Sequence, residues 1–311
     1  MTPEQLARIE IDRLLASCGW IVQDRAKLNL SAGMGIAVRE WPLEVGPVDY
    51  LLFVNRKPVG VIEAKPIGTT LSGVAEQSTG YLQSTPKGIP SLAKPMRFHY
   101  ESTGEETFFR DINDPNSRSR RVFAFHRPET LLSWFELPTT LRGRLKKLPL
   151  LNKDGLRDCQ IEAIENLEES FAADRPRSLL QMTMGSGKTY TAVSFVYRLI
   201  KFAGAKRILF LVDRRTLGKQ AFTEFDQYRT PDDGRKFTEL YNVQHLRSNT
   251  LDSEAQVCIT TIQRLYSMLC NEPEFAEENE EKPLEEIVNE EAKPFTVSYN
   301  PKIPIETLIS S

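Results

Sequence analysis

The segment MTMGSGKTYTA, residues 182–192, constrains this chain more than any other, because it sits between the apolar run SLLQM and a stretch of helical periodicity. A strand that turns through small residues directly into a helix lets backbone amides curl around an anion, and the helix start presents further N–H groups to it. In that frame Gly185, Ser186 and Gly187 form the turn, Lys188 reaches the terminal phosphates of a nucleotide, and Thr189 offers its hydroxyl to the accompanying magnesium ion. The strict GxxxxGKT pattern wants glycine where this chain has Met182, so the match is incomplete in letters but complete in context.

Around that loop a helix over 156–172, the strand SLLQMT, a helix over 188–203 and the strand RILFLV alternate as a parallel sheet with crossovers, and VCITTI at 257–262 supplies a further buried strand. PLLNKDG at 149–155 reads as a linker. Before it the pattern differs. An amphipathic helix over 3–17, with Thr2 as N-cap and Pro3 at its first position, precedes strands at 36–41, 48–54 and 59–65 and a helix over 71–84. Short strands around RFHYE and ETFFRD, a strand over 120–126 and a helix beginning PETLLSWFE complete this part. The expected organisation is 1–148, 149–270 and an acidic, proline-punctuated tail over 271–311, much of it disordered or extended. An ATP-driven motor also needs an acidic motif at the end of a second buried strand. Asp213 in VDRR is a weak candidate with no glutamate after it, so ATP binding is better supported than hydrolysis.

A net charge of −2 hides an asymmetry: residues 271–311 carry 11 Glu and 3 Lys, a balance of −8, which leaves +6 for the rest. RSRR at 118–121 and RGRLKK at 142–147 can neutralise phosphates, and equally can be solvated surface. Cys18, Cys159, Cys258 and Cys270 are scattered and His99, His126 and His245 isolated along the chain, so neither a disulfide framework nor a zinc site is suggested. The N-terminus is charged from its fourth residue and no apolar run approaches the ~18 residues of a membrane span. The expectation is a cytoplasmic protein without a membrane partner.

VDYLLFVNRKPVGVIEAK, residues 48–65, reads as two strands around a polar turn. The ExK letters alone mean little, since they occur at 63–65, 280–282 and 291–293. What sets Glu63 and Lys65 apart is their place at a strand end, where i and i+2 project from one face. An antiparallel register whose paired numbers sum to 112 would set Asp49 opposite Glu63, and it requires a turn of three or five residues around Arg56. Opposed carboxylates on neighbouring strands can share a hard divalent cation such as Mg2+, while Lys65 orients water or steadies developing charge. The bland alternative is a solubilising charged face. Glu10, between Leu6 and Leu14 on the first helix, is a candidate third carboxylate, and Gln77 and Tyr81, spaced i and i+4, can face the same strand ends.

AVREWPLEVGPVDYLLFVNRKPVGVIEAKP, the Gln77–Tyr81 pair, RVFAFHRPETL, LRDCQ and QMTMGSGKT occur in one order. In that order the chain resembles the R subunit of type I restriction-modification enzymes over most of residues 1–305. The resemblance implies a restriction-endonuclease-like mixed sheet flanked by helices, of the PD-(D/E)xK nuclease class, followed by part of a RecA-like, superfamily 2 helicase-like α/β motor domain. It maps Asp49, Glu63 and Lys65 onto the nuclease triad and Gln77 and Tyr81 onto its QxxxY motif. Gln160 falls on the adenine-reading glutamine, and Lys188 and Thr189 on the first motor motif. Mg2+ and ATP are the implied cofactors. Double-stranded DNA and the methylation and specificity subunits are the implied partners, and the implied activity is cleavage of unmethylated foreign DNA driven by ATP-dependent translocation. Proline does not immediately precede Asp49, and NPKIPIE, which resembles the approach to the family's Asp-Glu motif, runs instead into TLISS, so the chain reads as truncated. Two other readings stay open: a nonenzymatic DNA- or partner-binding fragment, and a nucleotide-binding regulator whose hairpin is structural.

Overall fold

A computed structural model describes residues 2–71, 79–84, 86–88, 95–175, 177–270 and 272–286. The chain divides into two compact units, Met1–Thr140 and Leu141–Ser311.

In the first unit, helix α1 (Pro3–Ser17) starts where the sequence signals it. The Thr2 hydroxyl accepts from the Gln5 amide at 3.2 Å, and the Gln5 side chain accepts from the Thr2 amide at 2.9 Å. This reciprocal cap satisfies two amides that the first turn would leave orphaned. Ala7, Ile11 and Leu15, spaced by four, are the buried stripe. Seven strands follow in one sheet whose spatial order is the chain order: β1 (Ile21–Asp24), β2 (Gly35–Leu43), β3 (Gly46–Val54), β4 (Lys57–Ala64), β5 (Phe98–Ser102), β6 (Thr107–Asp111) and β7 (Arg120–Val122). Pairs β1–β2 and β4–β5 are parallel and the other four antiparallel, so the sheet is mixed. Short helix α2 (Thr79–Gln83) lies in the β4–β5 crossover, and α3 (Pro128–Glu136) follows β7. One core joins Val38, Trp41, Leu51, Phe53, Val61 and Met96, with Leu82 of α2 packed into it.

The β3–β4 hairpin departs from the expected turn. Its loop is two residues, Asn55 and Arg56, both at positive φ (46° and 64°), the backbone that right-twisted strands favour. Such a turn pairs Val54 with Lys57 and Phe53 with Pro58, a register that would carry Asp49 to the wrong face. A bulge then inserts Val59, and Leu52 pairs with Gly60, Leu51 with Val61 and Tyr50 with Ile62. The numbers therefore sum to 112 at the functional end, through a bulge rather than an odd-length turn. Gly60 serves the next pairing too: a Cβ there would lie 2.3 Å from the Phe98 carbonyl oxygen, so glycine lets β5 close on β4.

The second unit contains α4 (Leu141–Leu145), α5 (Asp158–Ala172), α6 (Lys188–Lys201), β8 (Ile208–Val212), α7 (Arg215–Gln227), α8 (Phe237–Leu240), β9 (Val243–His245), β10 (Val257–Thr261) and α9 (Ile262–Leu269). Among its described residues, three strands are all parallel, in the order β8–β10–β9. Val193, Val196 and Ile200 of α6 and Ala221 and Phe225 of α7 pack on Val257 and Ile259 of β10. The expected strand SLLQMT is not a strand: residues 177–183 make no ladder, and Leu179 is 92% exposed. A strand pattern becomes a strand only beside a partner strand, and no described strand pairs with this one.

Two charged segments also behave otherwise than expected. Of the basic cluster at 142–147, Arg142 pairs with buried Asp174 at 3.1 Å and Arg144 donates to the Ala203 carbonyl at 2.5 Å, so both stitch the unit internally. In the acidic segment, a 3-10 turn over Glu277–Glu281 docks rather than trailing. Glu280 is buried against the guanidinium of Arg264, its Oε1 2.9 Å from Nε, and accepts from the Thr261 hydroxyl at 3.0 Å. Glu277 pairs with Arg215 at 2.5 Å.

Candidate functional site

The C-terminal end of β4 carries the first candidate site. Lys65 follows the strand, and its amide donates to the Ser102 carbonyl at 2.8 Å, which continues the pairing with β5. Its ammonium lies 2.6 Å from Glu63 Oε2. Asp49, next in the bulged register, takes the Ala64 amide on Oδ2 at 2.8 Å and the Arg8 guanidinium on Oδ1. The structure thus gathers Asp49, Glu63 and Lys65 at one strand end. Arg8 also holds Glu40 at 2.9 Å, which anchors α1 over the site.

Glu10 is not among these groups. It turns along α1 to pair with Arg13 at 2.5 Å, because the buried stripe is Ala7–Ile11–Leu15 and Glu10 lies at its edge. The α1 side chain that reaches Asp49 is Arg8. Tyr81 is half-buried on α2 and packs against the sheet core. Gln77 lies outside the described residues.

Strand β5 adds two groups that sequence reasoning missed. The parallel register sets Glu101 beside Glu63 and His99 beside Val61, so both β5 side chains share the face of Glu63. All three are buried, with relative exposures of 7% for Glu63 and 1% each for His99 and Glu101. A His99 ring nitrogen, Nε2, is 3.3 Å from Glu63 Oε1. One ligand atom from each residue lies within 4.8 Å of those of the other two. His99 is therefore isolated only along the chain. The signal was the H-x-E spacing in RFHYE, legible as a shared face once β5 is paired with β4.

Electrostatics divide the carboxylates. Burial pushes Glu63 upward, but hydrogen bonds from His99 and Lys65 outweigh it and hold the group below the usual range. Burial raises Asp49, against the opposing pull of the Ala64 amide and Arg8. Glu101 is raised by burial, with His99 working against that and Glu63 adding to it. Lys65 loses hydration, yet its bond to Glu63 and the charges of Glu63, Glu101 and Asp49 raise it overall. Among the described residues, both oxygens of Glu101 and Nδ1 of His99 have no hydrogen-bond partner. A buried carboxylate without a partner is costly, and a proton or a cation relieves it. The donor set of carboxylate oxygens around an ammonium fits a hard divalent ion.

The second candidate site is the loop before α6. Gly185 and Gly187 adopt φ of 78° and 83°, and Gly187 is the helix N-cap. Buried Gln160 donates from Nε2 to the Ser186 carbonyl at 3.1 Å and accepts the Arg157 amide at 2.9 Å. A Cβ at 187 would sit 2.4 Å from Gln160 Nε2, so glycine is required for this approach. Arg157 donates to the Gly185 carbonyl at 2.8 Å, and Lys188 curls back onto the Thr183 carbonyl at 2.9 Å. Thr189 lies half-buried in the first turn. Gln160, Gly185, Ser186, Gly187, Lys188 and Thr189 thus form one cluster, while Asp213 is exposed beside Arg214.

Fold and sites together define an α/β protein that joins a buried acidic centre on a mixed sheet to a glycine-turn loop opening a helix. Residues 26–94 match the family described as type I restriction enzyme EcoKI endonuclease subunit second domain, and residues 153–292 the family described as type III restriction enzyme, res subunit. The type I restriction enzyme EcoKI endonuclease subunit of Escherichia coli K12 is 28% identical over 314 residues, covering 84% of this chain and 27% of that protein. The SauCOLORF180P endonuclease subunit of Staphylococcus aureus COL is 24% identical, covering 70% of this chain and 24% of its own length. The EcoAI endonuclease subunit of Escherichia coli is 27% identical, covering 60% and 24%. A solved fragment described as an HsdR subunit of a type I restriction enzyme from Vibrio vulnificus YJ016 aligns over 87% of this chain and 49% of its own, at 20% identity and a TM-score of 0.28, too low to carry a structural argument. The chain is similar to the type I restriction endonuclease (R) subunits, and it spans about a quarter of the length of the curated relatives it matches.

Proposed function

We propose that the first unit is a magnesium-dependent endonuclease centre acting on double-stranded DNA and that the second binds ATP. In the complete enzyme the two would belong to a cytoplasmic R subunit that cleaves unmethylated foreign DNA during ATP-driven translocation, assembled with methylation and specificity subunits. The observation that carries this reading is the meeting of Asp49, Glu63 and Lys65 at one strand end. Asp49 and Glu63 are the residues that would hold Mg2+, which when bound polarises a phosphodiester and makes its water a better nucleophile. Lys65, steadied by Glu63, supplies the positive charge that stabilises a phosphate oxygen as negative charge builds on it. Arg8 keeps Asp49 oriented in the resting site, and Tyr81 props the sheet beneath, with Gln77 as the partner the family motif implies. In the second unit Lys188 would leave the Thr183 carbonyl for the terminal phosphates, Thr189 would ligate their Mg2+, and Gln160 would read adenine.

The test is plasmid nicking by the purified chain with Mg2+. Wild type should cut without sequence preference, and Asp49→Ala and Lys65→Ala should each lower the rate at least ~100-fold with circular dichroism unchanged. DNA retained without any cleavage would favour a nonenzymatic binding module. ATP binding sensitive to Lys188→Ala, again without cleavage, would favour a nucleotide-binding regulator with a structural hairpin.

A further inference from the structure

We propose that Glu63, His99 and Glu101 form a mixed nitrogen–oxygen site for a first-row transition cation, taking Mn2+ in preference to Mg2+, with Glu63 shared between this site and Asp49. The proposal deepens the nuclease reading and rests on it only for the idea that the ion serves cleavage.

Register builds the site. Parallel pairing of β4 with β5 lays Glu101 directly beside Glu63, and His99 projects from the same face two residues away. The three ligand atoms already lie within 4.8 Å of one another, close enough for one ion to reach all three after small side-chain adjustments. Burial argues that the arrangement is for a ligand. Glu101 is 1% exposed and neither carboxylate oxygen has a hydrogen-bond partner among the described residues, although Lys65 stands nearby on Glu63. A solvated acidic patch would leave its oxygens to water, and a structural ion pair would give Glu101 a donor. Neither holds here. An imidazole nitrogen among the donors decides the metal class: Mg2+ prefers oxygen and water, whereas imidazole and carboxylate together suit Mn2+ and the ions beyond it. Asp49 is outside this set because it belongs to β3, on the opposite side of β4 from β5, where Arg8 and the Ala64 amide hold it in the resting site.

The test uses the full chain and Mn2+ as the probe. Electron paramagnetic resonance follows the loss of free Mn2+ to give affinity, and electron spin-echo modulation reports a directly bound nitrogen. Wild type should show 14N modulation that changes when the three histidines carry 15N, a readout that needs no variant. Glu101→Gln should weaken Mn2+ binding at least ~10-fold, His99→Gln should remove the nitrogen modulation, and Asp49→Asn should keep it. Absence of nitrogen modulation in wild-type protein that binds Mn2+, or affinity unmoved by Glu101→Gln, overturns the site. So does failure of the wild type to bind Mn2+. If Mg2+-dependent cleavage persists in any of those cases, the nuclease reading survives. Nitrogen-coupled Mn2+ in a chain that cuts no DNA keeps the site and overturns the nuclease reading instead.

Discussion

Glu101 and His99 mark where single residues stopped being readable from the sequence. Both letters were visible, and the strand around RFHYE was expected, but nothing local says that β5 lies parallel to β4, 36 residues back from His99 to Glu63. Asp49, Glu63 and Lys65 were legible because all three belong to one hairpin, where alternation and a register suffice. His126 shows a different residue-level effect. It packs against Phe109 and Trp134 with ring centroids 4.4 and 4.8 Å away, and the Tyr100 hydroxyl lies 2.6 Å from its Nδ1. Burial, helped by nearby Arg120, pushes its pKa down to about 3. The unfolded chain therefore binds a proton that the folded one refuses between the ordinary 6.5 and about 3, so stability is full above that window and drains as pH falls through it. Urea unfolding should show wild type losing about 1.4 kcal/mol per pH unit more than His126→Asn below pH 6.5; parallel slopes would contradict this.

At the scale of elements, the helices with regular periodicity, α1, α3, α5 and α6, fell close to where pattern placed them. The errors came where an element depends on something distant. SLLQMT has the composition of a strand and no strand partner among the described residues, and the acidic segment docks because Arg264 waits for Glu280. The hairpin turn itself carries residual strain. Arg56 sits at φ 64°, a conformation that costs an L-residue about 1–2 kcal/mol and glycine almost nothing. Arg56→Gly should raise the stability of the first unit by roughly 0.5–1 kcal/mol, since glycine gives back some of that gain as unfolded-chain entropy. Thermal melts that fall rather than rise would refute it. By contrast, Arg97 joins three elements, holding Asp111 of β6 through two 2.7 Å bonds and donating to the Trp134 and Leu137 carbonyls at the end of α3. Arg97→Ala strands a buried carboxylate, and denaturant titration should register a loss of about 3–5 kcal/mol.

Across the whole molecule the two candidate sites fall in separate units, each with its own core. The fold class was legible because period-two and period-3.6 patterns change sharply near residue 150, and the loop letters announce their own backbone. The division falls slightly earlier, at Thr140, because Arg144 ties α4 to the residues after it. Lesions should accordingly be separable. Lys188→Ala should cut nucleotide affinity by about 10-fold or more while leaving Mg2+ binding in the first unit unchanged, and Asp49→Ala should lower that Mg2+ binding while leaving nucleotide affinity unchanged. Calorimetric titration of each ligand against each variant checks this, and cross-talk between the two would defeat it.

The bulge at Val59 also governs which changes in chain length this hairpin can absorb. Because side chains alternate, adding or removing two residues between Val54 and Gly60 returns every later group to its own face, while a change of one exchanges the interior and exterior of β4 from that point on. Length variants should therefore be tolerated in even steps, and single steps should survive only where the turn and the bulge change together. A two-residue extension of the Asn55–Arg56 loop becomes a natural place to attach a reporter without disturbing Glu63.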